Sequence, residues 1–410
     1  MNISLKQILK LDENERFRYF DALLKNKMIT ITELEDYYTN NISMDTVAFA
    51  KRYTNYINIA RLEDAIIKSK NYNVICAFAS EVSTANIDKL EDAIISSEDV
   101  GYIIEFAKKA DNANIDKLED AVVASRSPDY ICTFIKKIPK ANKEKLIGHV
   151  VESNKLECIM ELAHLTQDKR LEDAIAKSKS PLCIYTFAKD IKWSDKNKLK
   201  DAIVQTNYAP YIYRFAFDIS GINIKDLENA IIEIGDCGYI IKFARNIPKA
   251  NKEKLKKAII EKGAAKDIYD FAYIINVSNK QDLEAAIIEK GDLKYIIEYA
   301  RNIPGANISK LEEAIIQSGN PEYIYEFAKN IKDSNISKLA DAVLNTNNIY
   351  YILLFAKNIL KIEIDELDYI MYMMAAKPTS QEELSISVDD KLYNERLEKI
   401  KRRIRTKDYK

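Results

Sequence analysis

The chain has two histidines, His149 and His164, and Glu157, Cys158 and Glu161 stand close to them in sequence. Imidazole, thiolate and carboxylate are the donors of a zinc site or of an acid–base pair, so chemistry would be sought here first. The spacing of His149, Cys158 and His164 matches no zinc pattern. His149 fills a slot that is Ala in the ten other central repeats of the chain, and it is expected to fill a packing gap beside Gly148. No Gly-rich phosphate loop, nucleophile elbow or paired-His helix occurs. We therefore expect no catalytic residue, no metal site, no cofactor and no small-molecule substrate. An enzyme centred on residues 142–166 is the second alternative.

Binding chemistry has more to work with. Lys108, Lys136, His164, Lys189, Arg245, Arg301, Lys329 and Lys357 form a basic column at one helical position. Lys108, Lys136, Lys189, Arg301, Lys329 and Lys357 could track a phosphate backbone or an acidic partner. A cation near a helix C-terminus also complements the helix dipole with no ligand, and we prefer that account. The same account is applied to an acidic column, Glu63, Glu91, Glu119, Glu172, Glu228, Glu284 and Glu312. Phe217 and Tyr273 replace the cation of the basic column, and Leu165, Ile274 and Leu354 break neighbouring polar slots. Arg214, Lys242 and Arg245 surround them. Exposed aromatics interleaved with Arg and Lys have the composition of an interface core, against the alternative of drift at tolerant surface positions.

These columns exist because the chain repeats. A Leu recurs at 34, 62, 90, 118 and 146, then at 171, 199, 227, 255, 283, 311, 339 and 367. Every step is 28 residues except the 25 between Leu146 and Leu171. A fixed period of this kind means a repeat array. Residues 307–334, NISKLEEAIIQSGNPEYIYEFAKNIKDS, are one full copy.

Each repeat reads as two short helices. Asn precedes the Leu by four positions in nine of eleven central repeats, as at Asn58, Asn86 and Asn307, and Asn is a strong N-cap. Thr30 with Glu33 makes a capping box. The first helix ends at a slot holding Gly235, Gly263, Gly291, Gly319, Asn154, Asn207 or Asn347, residues that tolerate a left-handed cap. The next slot caps the second helix, and Pro128, Pro181 and Pro321 follow at its first position. The second helix carries Ile, then Phe three residues on, then Ala, then Ile, a stripe of helical spacing. Its apolar arc is wide enough to pack on its own partner and on the neighbouring repeat.

Composition limits the classes. The net charge of −1 gives no bulk field for nucleic acid or acidic membranes. Nine Gly and eight Pro, mostly in turn slots, leave little room for linkers, so 410 residues read as one array rather than several domains. The five Cys are scattered among repeats and read as reduced core residues of a cytoplasmic protein. No signal peptide or apolar run of spanning length is seen, so no membrane association is expected. Heavy use of Ile, Lys, Asn and Tyr suits an AT-rich genome.

The two-helix repeat resembles HEAT-like α-solenoids, especially their short variants, over residues 30–376. It rests on caps and core spacing, since the usual HEAT signature in the first helix is absent, as are ankyrin and tetratricopeptide motifs. The resemblance implies an all-α, right-handed α-solenoid of about thirteen helix pairs, on the order of 120 Å long at ~9–10 Å per layer. It also implies that second helices line the inner face and that the protein binds other macromolecules. Residues 1–29 are expected as a helical N-terminal cap, 30–376 as the array and 377–410 as a linker and basic helical tail. That tail is expected to cap the array, with a basic arm for RNA or DNA as the lesser reading. The function expected is a non-enzymatic protein-binding scaffold or inhibitor, with a phage or mobile-element product holding a host protein as one form of it. Arg214, Phe217, Lys242, Arg245, Tyr273 and Ile274 are its partner-binding residues. A nucleic-acid-binding solenoid is the first alternative.

Overall fold

The computed structural model describes residues 5–275, 280–362 and 390–407. The segment 363–376, expected as a last first helix, the break at 377–380 and the N-cap Asn279 lie outside the described residues. Among the described residues there is no strand, and short helices of about ten residues follow one another along the chain. Two compact units divide it, Met1–Ala202 and Ile203–Lys410. Within each, a first helix packs on its own second helix and on the first helix of the next repeat, and second helices stack on second helices. This is α-solenoid packing, in which each repeat meets only its neighbours.

The apolar columns build the core. The Leu column is fully buried at Leu62, Leu90, Leu118, Leu146, Leu171, Leu227, Leu255, Leu283, Leu311 and Leu339. On the second helices Phe78, Phe106, Phe134, Phe187, Phe215, Phe243, Phe271 and Phe327 are equally enclosed. The helices start where their caps stand: the side chains of Asn58, Asn86, Asn114, Asn142, Asn251, Asn307 and Asn335 each accept the N–H three residues on. Thr30 and Glu33 close the expected capping box.

The turn inside the central repeats is left-handed at all but one position, although its residue varies. Gly235, Gly291, Gly319, Asn154, Asn207 and Asn347 are left-handed there, and so are Lys70, Glu98, Arg126 and Lys179. A hydroxyl closes many of these turns: Ser69, Ser97, Ser125, Ser178 and Ser318 each donate to a carbonyl three residues back and accept the N–H two residues ahead. Gly263 departs from the expected left-handed cap, with φ −80°. There the Asp267 carboxylate accepts the Ala264 N–H at 2.9 Å, and the turn opens.

The acidic column is where the sequence reading fails. Glu63, Glu91, Glu119, Glu172, Glu228, Glu284 and Glu312 are not solvated dipole partners but buried, together with Glu35. Each carboxylate accepts the backbone N–H of the residue 23 positions on, the cap of the next first helix: Glu63 from Asn86 (2.7 Å), Glu91 from Asn114 (2.7 Å), Glu228 from Asn251 (2.7 Å) and Glu284 from Asn307 (2.7 Å). An incoming lysine lies just beyond, Lys89 at 3.7 Å from Glu63 and Lys117 at 3.6 Å from Glu91. The column is an inter-repeat latch. Its omissions are informative. Ile147, Lys200, Lys256 and Ala340 occupy the Glu position, and after the first three the next first helices begin late, at Lys169, Lys225 and Gln281. The buried Lys256 instead reaches Glu253 (2.6 Å) and Asp282 (3.1 Å).

Two special segments end the described chain. Phe355–Ile359 form a π-helical turn, and Leu354, expected on the polar side, is half-buried. The last helix, Asp390–Arg405, packs on Ile336–Asn345 and buries Leu397, Ile400 and Ile404.

Candidate functional site

Three consecutive second helices carry the residues singled out for binding, all within the compact unit 203–410. Arg214 and Phe217 stand on Ala209–Asp218, Lys242 and Arg245 on Cys237–Asn246, and Tyr273 and Ile274 on Ala265–Ile274. The stripe Ile212–Phe215–Ala216 faces the core. Positions one before and two after the Phe must therefore face out, as 100° per residue requires. Phe217 is 59% exposed, Tyr273 63% and Ile274 40%.

The exposed rings do not hang free. Phe217 stacks on Tyr213 with centroids 6.0 Å apart, and Tyr273 on Tyr269 at 5.8 Å. Each supporting tyrosine is held in turn: the Asn246 amide donates to the Tyr213 hydroxyl (2.8 Å) and the Asn302 amide to the Tyr269 hydroxyl (2.9 Å). Tyr239 and Tyr295, each one repeat further on, press on the same two rings at 6.0 Å. Exposed side chains braced this way lose little entropy on binding. The six residues are thus brought to one face as two braced aromatic pairs with a cationic helix between them.

The cations here differ from those elsewhere in the basic column. Arg214 lies over the Tyr211 ring (5.4 Å) and Lys242 over Tyr239 (4.3 Å). Among the described residues neither they nor Arg245 has an ion pair. Three of the other six ladder residues pair with a carboxylate: Lys136 with Glu161 (2.9 Å), Arg301 with Glu298 (3.2 Å) and Lys329 with Glu326 (3.9 Å). Lys189 bonds the Tyr185 hydroxyl at 3.0 Å. Lys108 and Lys357 are exposed.

The irregular repeat gathers less than its sequence suggests. His149 does not fill a gap beside Gly148. It is half-exposed with Nδ1 3.7 Å from Glu152, and the Arg170 guanidinium lies where a side chain at Gly148 would reach. His164 and Leu165 are exposed on the other helix. The Cys132 and Cys158 thiols are buried and donate to Glu161 (3.2 Å) and Asp129 (3.4 Å). Burial first, then those carboxylates, push Cys132 up to about 12 and Cys158 up to about 11, which keeps both as thiols. Among the described residues no group of three or more His, Cys, Asp or Glu could hold a metal ion. A cleft of about 390 Å³ lies between the two first helices here, lined by Val151, Asn154, Arg170, Asp173, Ala174 and Lys177. Of its polar side chains, Arg170 is engaged by Asp168 (2.6 Å) and Asp173 by Lys198, and these two serve the fold.

The sequence reading missed Tyr213, Tyr269, Asn246 and Asn302, which brace the exposed rings. Their signal was present: Tyr and an aliphatic residue alternate two positions before the Phe, through Tyr213, Ile241, Tyr269, Ile297, Tyr325 and Leu353. Among the described residues no helix is long and apolar enough to cross a membrane. Comparison with known proteins gives no family model that matches the chain, no matching curated protein and no matching solved structure, so the arrangement of these side chains is what speaks for function.

Proposed function

We propose that the chain is a non-enzymatic protein-binding scaffold that anchors a partner protein on the second-helix face formed by Arg214, Phe217, Lys242, Arg245, Tyr273 and Ile274. The observation that carries this reading is the bracing of Phe217 and Tyr273: aromatic rings more than half exposed, stacked on hydrogen-bonded tyrosines and accompanied by cations without ion pairs. Rigid aromatics with arginine neighbours are the residues that dominate interface energy. Their exposure has no counterpart in the core columns, which every repeat needs alike. The nucleic-acid reading is weaker because Glu161, Glu298 and Glu326 neutralise cations that a phosphate backbone would use.

The test is the double variant Phe217→Ala with Tyr273→Ala. It is expected to lose about 2–4 kcal/mol of affinity for a partner isolated with the parent chain. Its unfolding midpoint should stay at the parent value, since neither side chain is part of the core. Normal partner binding by the double variant, or its unfolding, refutes the assignment.

A further inference from the structure

A second period, twice the length of the first, runs through the second helices of the compact unit 203–410. Tyr213, Tyr269 and Tyr325 recur every second repeat. Each hydroxyl accepts from an asparagine 33 residues on, Asn246, Asn302 and Asn358, at 2.8, 2.9 and 2.9 Å. Each ring meets a tyrosine of the next repeat, Tyr239, Tyr295 and Tyr351, at 6.0, 6.0 and 6.2 Å. One helical turn after each comes the residue that closes the box: Phe217, Tyr273 and Lys329. In the third box the Lys329 ammonium lies 5.5 Å from the Tyr325 ring, paired with Glu326 at 3.9 Å, and the box is neutralised within the chain. In the first two an exposed ring stands there instead.

The two open boxes are two layers apart, about 20 Å at ~9–10 Å per layer, which an extended chain spans in about six residues. The helix between them presents Lys242 and Arg245, and Arg214 stands beside Phe217. Beyond Tyr273 the next two cations of the column are paired, Arg301 with Glu298 and Lys329 with Glu326. Cations without a carboxylate partner therefore stand between two apolar anchors. A polyanion running the length of the face would find its further phosphates opposite neutralised pairs, whereas a short acidic segment would not. We infer that this face takes an extended acidic segment of a partner protein. Two apolar or aromatic side chains, about six residues apart, pack on Phe217 and Tyr273, and the carboxylates between them meet Lys242 and Arg245. This rests on the protein-binding reading above and adds the shape and charge of what is bound.

The experiment is a display selection of random peptides about a dozen residues long against the full chain, followed by fluorescence anisotropy with synthesised winners. Enriched peptides should carry two large apolar residues about six positions apart with Asp or Glu between them. Their affinity should fall about tenfold or more with Phe217→Ala or Tyr273→Ala, and again with Lys242→Glu plus Arg245→Glu, at unchanged melting temperature. Selection against the Lys242→Glu, Arg245→Glu chain should turn to basic peptides. Winners that depend on Phe217 and Tyr273 but are neutral, basic or spaced as one face of a helix overturn this inference and leave the protein-binding reading standing. Failure to enrich any peptide dependent on Phe217 or Tyr273 overturns the inference. If an oligothymidine strand binds instead and is released by the same substitutions, the protein-binding reading falls with it.

Discussion

At the residue scale, the repeat imposes a backbone conformation on whatever residue occupies a slot. Glu98 has φ 58° and Arg126 φ 55°, the same left-handed cap that Gly291 adopts at 70°. A side chain there strains the backbone by about 1–2 kcal/mol, while glycine costs about 0.5–1 kcal/mol more entropy on folding. Glu98→Gly should therefore stabilise the chain by about 0.5–1 kcal/mol, measurable as a raised urea midpoint. Gly263, in the same slot but with φ −80°, is held by a close approach and not by a left-handed backbone. An added Cβ would sit 2.6 Å from the Ile259 carbonyl oxygen, so Gly263→Ala should lower the midpoint. If both substitutions move stability in the same direction, the turn geometry is not what these residues report. The slot was legible in the sequence where it held Gly or Asn. It was invisible where it held Lys, Glu or Arg, because those residues reach this conformation only when packing on both sides enforces it.

At the scale of the helix pair, the buried glutamate latch sets where each next helix begins. Glu91 is fully buried, accepts the Asn114 N–H and lies near Lys117. Removing the acceptor in Glu91→Ala leaves that N–H unsatisfied and should cost about 1–3 kcal/mol. Glu91→Gln keeps an acceptor and should cost less. Burial raises the Glu91 carboxyl above its ordinary value, with the Asn114 N–H and Lys117 pulling the other way, and Glu312 behaves alike. A carboxyl raised in the folded state binds its proton more tightly there than in the unfolded chain. Its ionisation thus opposes folding at neutral pH, and that opposition disappears as pH falls through the folded value to below the ordinary one. The stability of the parent relative to Glu91→Gln should accordingly grow as urea unfolding is repeated from neutral pH down to about pH 4. A difference that is flat or shrinks over that window contradicts the raised direction. The apolar columns and asparagine caps could be read from the sequence because both are local and periodic. The latch could not, since its acceptor looks like a surface acid and its donor is a backbone N–H 23 residues away that leaves no mark in the sequence. The aromatic boxes escaped for a related reason: Tyr213 and Asn246 pair across one repeat but recur only every second one.

At the scale of the whole molecule, a net charge of −1 makes the cationic face a local feature, and packing by neighbours only makes stability local as well. The single tryptophan offers a way to see this. The Trp193 indole N–H donates to the Ala163 carbonyl at 3.0 Å and its ring meets Phe187 edge-on at 5.6 Å, so its fluorescence reports the layers around the irregular repeat. Glu119 latches the entrance to that repeat by accepting the Asn142 N–H at 2.5 Å. Glu312 does the same for Asn335 within the compact unit 203–410. In a nearest-neighbour array a lesion weakens its own interface by about 1–3 kcal/mol and is felt less with each layer. Glu119→Ala should thus lower the denaturant midpoint of Trp193 fluorescence. Glu312→Ala should leave that midpoint nearly in place while shifting part of the helical circular dichroism signal. An equal shift of the Trp193 midpoint by both substitutions would mean that the chain unfolds as one cooperative block, and the account of stability as a sum over neighbouring repeats would be wrong for this protein.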